Sequence, residues 1–365
     1  NHGLLLTMFI SIFITFIFLL FNKQIVNLLG ATPEIFDETR EYFIYFTIFI
    51  PFFMLNYALG TWIRNDDKPN LAMIGQIIGA ILNIILDYIF MAPLNMGIKG
   101  AAIATGLGPI IGIIILLPHF LTKKGDLYIE KVEIKASKLK DILIGGLPSF
   151  AIEFSLGLMT FFLNIFIAMR FKENGLAAFG VIGYINLIML SIYLGIGQGT
   201  QPLISLYYGQ KKYDDIHLIY SFCLKLSILL GILGYILLLP LKSTIIPIFI
   251  DSGNIEVIEL TKKAINLFFI TLSITGVNII TASIFEAKQN IIPSIIISFS
   301  RSFIFLVPSL LILNKFSNPN MLWLSVPISE ILTLFISIYL WNYVVSIEEK
   351  NVSNKINTKH YLKNT

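Results

Sequence analysis

The sequence predicts an all-α integral membrane protein, and three observations carry that expectation. Of 365 residues, 56% are hydrophobic and only 13% are charged, against about 25% charged in an ordinary soluble domain. Mean hydropathy is +0.81. The apolar residues gather into runs of roughly 20, the length a helix needs to cross about 30 Å of hydrocarbon. These runs are apolar on every face and lack the alternation of a membrane β-barrel strand. Too little charge is available to build a hydrated shell, so lipid must solvate most of the surface.

Ten runs qualify as spans: 4–21, 42–63, 71–92, 97–121, 142–169, 175–199, 216–240, 264–285, 291–313 and 320–346. The first holds no charged residue, and the second begins beyond the acidic stretch around Asp37 and Glu38 and contains Pro51. The third carries Asn83 and Asp87; the fourth follows the turn at Pro93–Met96 and is rich in glycine. The fifth opens on Gly146–Phe150 (GLPSF) and holds Glu153. The sixth follows Arg170 and Lys172, and the seventh contains the single cysteine, Cys223. The eighth ends at Glu286 and Lys288, the ninth contains Arg301, and the last contains Glu330.

Residues 122–141 differ from everything around them. They carry Lys123, Lys124, Lys131, Lys135, Lys138 and Lys140, interspersed with Asp126, Glu130 and Glu133. This stretch divides the chain into a four-span part, 1–121, and a six-span part, 142–346, followed by a polar tail, 347–365. Basic loops favour the cytoplasmic side. With 122–141 placed there, the loop of Arg64 and Lys68, the loop of Lys211 and Lys212, Lys288, and the tail with Lys350, Lys355, Lys359 and Lys363 fall on the same side. Arg170, Lys172 and Lys315 fall outside. The loop with Lys242, Lys262 and Lys263 violates the pattern, but the balance puts both ends of the chain in the cytoplasm. The chain begins at Asn1 without a basic n-region or cleavage site, and reads as starting within a longer protein.

Several function classes are excluded by what is scarce. One cysteine cannot build a disulfide framework or a thiolate metal site. The four histidines, His2, His119, His217 and His360, show no ligand spacing, and His119 and His217 stand at helix ends away from any acid pair. A membrane-embedded transferase or protease would need such a cluster, so the chain is not expected to be an enzyme. The net charge of +4 is spread along the chain, and nothing forms a nucleic-acid-binding patch.

Ionisable groups within spans cost about 2.5–3.5 kcal/mol on insertion scales and tend to face the bundle interior or a water cavity. Four acids qualify: Asp87, Glu153, Glu286 and Glu330. Asn83 lies one turn before Asp87 on the same helix face, and Thr105 in the next span can add a hydroxyl. A carboxylate, an amide oxygen and a hydroxyl make a small hard-oxygen site able to hold Na⁺ or exchange protons; the alternative is an interfacial aspartate capping backbone groups. Glu153 is read as an ion-coupling acid or as a partner of a neighbouring helix, and Glu286 as an interfacial charge. Arg301 cannot give up its proton and needs an acidic or carbonyl partner. Glu330 is the candidate, in a structural or gating pair. The glycines within spans, Gly75 and Gly79 among them, allow close helix packing or hinges.

Certain stretches resemble the multidrug and toxic compound extrusion family. NIILDYIFM in the third span precedes NMGIKGAAIATGLG (Asn95–Gly108); GLPSF follows the linker; IGQGTQPLISLYYGQ (Ile196–Gln210) closes the sixth span; WLSVPISE (Trp323–Glu330) opens the last. The resemblance runs over essentially the whole chain in the family's order and looks nearest to a bacterial subgroup of staphylococcal-type exporters. It implies a two-lobe helical bundle transporter fold on a twelve-helix plan, with the first lobe here lacking its first two helices, and a multi-pass protein of the bacterial plasma membrane. By resemblance, Asn83, Asp87 and Thr105 match the family's N-lobe cation site, whose further aspartate on the first helix is absent, and Glu153 sits in a helix that often carries a functional glutamate. The implied activity is secondary active efflux of lipophilic or cationic drugs by antiport with H⁺ or Na⁺, by a monomer among membrane lipids, without a cofactor. The residues leave H⁺ and Na⁺ open. A lipid-linked oligosaccharide flippase of the same fold superfamily is the rival, disfavoured because Arg301 is the main deep cation; a non-transporting fragment is the third reading. Absence of two N-terminal helices would leave Gly75 and Gly79 without packing partners.

Overall fold

The computed structural model describes residues 1–29, 33, 35–122, 125–251 and 253–363, with side chains through 348. Lys123 and Lys124, and the side chains of Lys350, Lys355, Lys359 and Lys363, lie outside the described residues. Secondary structure among the described residues is helical, with no strand. The chain divides into two compact units, Asn1–Leu143 and Ile144–Thr365.

The first unit contains α1 (His2–Leu20), α2 (Asn22–Leu28), α3 (Phe36–Ile48), α4 (Ile50–Asn65), α5 (Pro69–Met91), α6 (Gly97–Leu121) and most of α7 (Ala136–Gly145). α3 and α4 form one bent span, with an angle of 47° between them. Pro51, in the first turn of α4, cannot donate a backbone hydrogen bond to the preceding turn, which accounts for a bend at that point.

Glycine sets the packing of α5 on α6. A Cβ at Gly79 would lie 2.8 Å from the Gly108 carbonyl oxygen, and one at Gly108 would lie 2.9 Å from that of Gly79. The two backbones touch there, and any side chain would force them apart. Gly106 leaves room for the Phe49 ring and Gly112 for Asn56. One expectation is corrected here: Gly75 and Gly79 are not left without partners, because Leu116 covers Gly75 and Gly108 covers Gly79. Both partners come from α6, so this packing is complete within the unit.

The second unit contains α8 (Leu147–Gly209), α9 (Tyr213–Phe249), α10 (Ile255–Phe268), α11 (Leu272–Ala287), α12 (Ile291–Phe299), α13 (Leu306–Leu313) and α14 (Ser325–Lys363). α8 runs 63 residues but is interrupted at Lys172, where φ is 54° and ψ is −142°. An unbroken helix of that length would reach about 95 Å, some three bilayer cores, so the element is two spans, 147–171 and 173–209. Among the described residues, eight helices are long and apolar enough to cross a membrane, or nine with the bent α3–α4 pair. Counting α8 as two raises this to ten. Large apolar side chains face outward in both units, for example Phe9, Ile84, Ile292 and Phe335, as a lipid-solvated surface requires.

α10 and α11 form the buried centre of the second unit. Trp323, Tyr193, Phe269 and Phe285 are fully buried. A five-residue π-helical turn, Ser300–Ile304, joins α12 to α13. Pro308 cannot donate to the carbonyl four residues earlier, and a π turn, a frequent functional-site feature, absorbs that break.

Candidate functional site

In the first unit, the Gly79–Gly108 contact fixes where the next turn of α5 lies. Asn83 is one turn beyond Gly79, and its Cβ is 3.5 Å from where a Gly108 Cβ would stand. Asp87 follows one turn later. The Asn83 Nδ2 and Asp87 Oδ1 atoms are buried, and neither has a hydrogen-bond partner of normal geometry among the described residues. Thr105, on α6, is half-buried, and no hydrogen bond joins it to either residue among the described residues. An unpartnered buried carboxylate oxygen is costly and is relieved by a proton or a cation. The Asn83 nitrogen cannot ligate a cation, but its amide oxygen can after rotation about the same bond.

The second unit holds a different arrangement. The π turn aims Arg301 into the core, where it is 5% exposed, and Glu330 on α14 is 1% exposed. Arg301 donates from Nη2 to Glu330 Oε1 at 2.6 Å and from Nε to Oε1 and Oε2 at 3.0 and 3.1 Å. Asn278 of α11 donates to Glu330 Oε2 at 2.7 Å and to the Glu330 backbone oxygen at 2.9 Å. Ser337 donates to Asn278 Oδ1 at 2.9 Å, and Ser329 to the Arg301 carbonyl at 2.6 Å. Three helices are thereby joined through one saturated carboxylate. Sequence reasoning missed Asn278, Ser329 and Ser337; they are short polar residues in apolar runs, a weak signal without knowledge of which faces meet.

Glu153 is exposed on the surface of its unit. Ser149, one turn before it, donates to Glu286 Oε1, so the carboxylate of Glu286 lies beside the helix face that carries Glu153. Glu286 is half-buried and is held by a hydroxyl.

Two further contacts between charged or polar side chains were not read from the sequence. His119, at a helix end and away from any pair of acids, has Nε2 2.6 Å from Asp66 Oδ2, with both side chains almost fully buried. Helices α4 and α6 bring their ends together across 53 residues of sequence. Lys288, placed by sequence among the basic residues of the cytoplasmic side, is 1% exposed. Its Nζ lies 2.6 Å from Glu348 Oε1 and 2.8 Å from Oε2, and 5.3 and 5.5 Å from the ring centres of Trp341 and Tyr208. Trp341 in turn stacks on Tyr220 at 3.6 Å. Among the described residues, no group of three or more His, Cys, Asp or Glu side chains is placed to hold a metal.

Apolar helices gathered into two units, with Asp87 half-buried on a span of the first and Glu330 buried on a span of the second, define a polytopic membrane protein. The MatE sequence profile matches residues 1–89 and 148–311, and the chain belongs to the MatE family. The matched residues include Asn83, Asp87, Glu153 and Arg301; Thr105 and Glu330 lie beyond them. The multidrug export protein MepA of Staphylococcus haemolyticus is 23% identical over 334 residues, covering 91% of this chain and 73% of that protein. MepA of Staphylococcus saprophyticus is 27% identical over 186 residues, 50% of this chain and 41% of the relative. By that match the chain spans less than half the relative's length. Among solved structures, a MATE protein in complex with MaL6 aligns with a TM-score of 0.88 at 22% identity, over 96% of this chain and 79% of that one. A transporter of the MOP superfamily from Pyrococcus furiosus aligns at 0.87 and 23% identity, over 95% and 78%. These likenesses show the fold: an all-α, two-lobe membrane bundle. Family members are transporters, and the chain is not an enzyme.

Proposed function

We propose that this chain acts in secondary active multidrug efflux, moving lipophilic or cationic drugs outward by antiport with H⁺ or Na⁺. The carrying observation is the inaccessible Asp87 carboxylate oxygen beside Asn83 at the α5–α6 contact, with no hydrogen-bond partner of normal geometry among the described residues, in a chain whose matched relatives are named multidrug export proteins. Asn83, Asp87 and Thr105 supply oxygen donors on adjoining helices and are assigned the coupling site, for Na⁺ as cargo or for a proton. Glu153, beside Glu286, is assigned a second coupling acid. Arg301 and Glu330 are assigned a gating or structural pair. No cofactor is needed for these roles.

Antiport works because cation binding favours one conformation and drug binding the other, and each ligand shifts the equilibrium only by its differential affinity. The distribution of basic residues supports a cytoplasmic position for 122–141 and for both ends of the chain in a bacterial cell, with the protein acting as a monomer among lipids. A flippase for lipid-linked oligosaccharides shares the superfamily fold. In the Pyrococcus transporter the reverse polarity of the binding pocket suggests a different function, so the fold alone does not choose the cargo.

The test is Asp87→Asn in the protein carrying any segment that precedes Asn1. A fluorescent cationic dye should be exported against an imposed H⁺ or Na⁺ gradient by the parent, and the variant should bind the dye but lose gradient-driven export. Undiminished export would remove Asp87 from coupling. Cysteine labelling at Lys131 and Lys355 from the cytoplasm, and at Lys315 from outside, checks the orientation.

A further inference from the structure

Residues 125–135 read in sequence as a polar connection, yet in the structure they are tied at several points to the first unit. Asp66, in the turn between α4 and α5, accepts from the backbone N–H of Asp126 at 3.0 Å and of Leu127 at 3.4 Å. The same carboxylate is held from the other side by His119 at the end of α6. Gly125 fits only because it has no side chain: a Cβ there would overlap Asp66 Oδ2 and lie 2.7 Å from His119 Nε2. Further along, the Asn1 side chain donates to the Tyr128 carbonyl and accepts from the Glu130 N–H. His2 Nε2 accepts from the Lys135 N–H at 3.2 Å. Four backbone N–H groups of an irregular segment thus bond to side chains from the start of α1 and the α4–α5 turn.

We propose that residues 125–135 form a strap fastened to the first unit through Asp66, so that α7 alone is the covalent element through which the two units move. The lengths make the difference matter. A free connection of 122–141 could reach at most about 66–72 Å and would transmit nothing. Fastened as far as Lys135, the chain leaves only the ten-residue α7, about 15 Å long as a helix, which ends one residue before Gly146 and the start of α8. The unit boundary, 143/144, falls inside this helix. The strap is a property of the first unit and does not rest on the exporter reading.

Hydrogen exchange on the full chain in lipid nanodiscs tests the fastening without any transport measurement. The Asp126 and Leu127 amides should exchange at least ~10-fold more slowly than in a free peptide of residues 122–141. Asp66→Ala and Gly125→Ala should each bring them close to the peptide rate. Gly125→Ala keeps the Asp66 carboxylate and crowds it from the side of the strap, so it reports on the fastening without removing that side chain. Parent amides at the peptide rate, or slow amides in Gly125→Ala, would overturn the strap. A four-residue insertion after Lys131 should leave the spread of spin-label distances between the units unchanged, whereas the same insertion after Gly145 should broaden it. Broadening by the first, or none by the second, would overturn the role given to α7.

Discussion

Each unit holds an acid within a span, Glu330 buried and Asp87 half-buried, and the two treat it in opposite ways. Glu330 receives three hydrogen bonds from Arg301 and one from Asn278 on its carboxylate, whereas Asp87 keeps a buried oxygen with no partner of normal geometry among the described residues. A carboxylate saturated by a permanent cation has nothing to gain from a proton or an ion. One left open gains from either. The comparison separates the acid suited to holding helices together from the acid suited to exchange, using hydrogen bonds that can be counted rather than position in the sequence.

The largest expected effect follows from breaking the saturated site. Arg301→Leu leaves Glu330 buried without its cation, and losing one partner of a buried pair typically costs about 3–5 kcal/mol. Arg301→Leu with Glu330→Leu should cost much less than the sum of the single changes, because no uncompensated charge remains. Denaturation of the four proteins in one detergent gives the coupling energy. Additive losses would mean that the pair does not act as a unit.

A second, smaller effect is expected at Lys288. Lys288→Met keeps much of the aliphatic volume against Trp341 and Tyr208 but removes a charge-assisted bond to Glu348, worth about 1.5–3 kcal/mol. The loss should be recovered in part by Glu348→Gln in the same chain. Asp87→Asn, by contrast, should change stability by no more than ~1 kcal/mol, or raise it, since the half-buried carboxylate has an oxygen without a partner of normal geometry among the described residues. A loss at Asp87 as large as that at Arg301 would erase the distinction between the two acids.

How much of this was legible in sequence depends on the range of the interaction. The spans were readable because hydrocarbon thickness sets a local length, and their cores lie where the apolar runs lie. Ends were less so. α10 starts at Ile255, well before the expected 264, because Asn254 caps it by accepting from the Val257 N–H while Glu256, Glu259, Lys262 and Lys263 lower the local hydropathy. Arg301 announced its need for a partner through the cost of a buried guanidinium, and Glu330 was within reach as the acid of the last span. The His119–Asp66 and Lys288–Glu348 pairs gave no such signal. Asp66, His119 and Lys288 sit at helix ends, where a solvated charge is the ordinary outcome, Glu348 follows the last apolar run, and 53 and 60 residues separate the partners. Only the packing of the helices determines that they meet. Gly125 likewise looked like any loop glycine until Asp66 occupied the place of its side chain.

The smallest expected effect concerns pH at that third acid, Asp66, which lies outside the spans and is partnered like Glu330 but near water. Burial alone would push its carboxyl upward. The hydrogen bonds from His119 and from the Asp126 and Leu127 amides outweigh burial and hold it below the ordinary aspartate value, which is about 3.9. A group depressed in the folded state contributes stability that is present above its unfolded value and is lost as pH falls through the folded one. The strap should therefore stay fastened through neutral and mildly acidic pH and loosen only below about pH 4. Asp66 is faced by His119 from α6 and by the backbone amides of Asp126 and Leu127 from the strap. The Leu127 amide, with exchange rates corrected for the intrinsic effect of pH, should keep its protection at pH 5 and lose it on going to pH 3. Protection that fails already between pH 7 and 5, or that persists at pH 3, would show that the Asp66 carboxylate does not control the fastening.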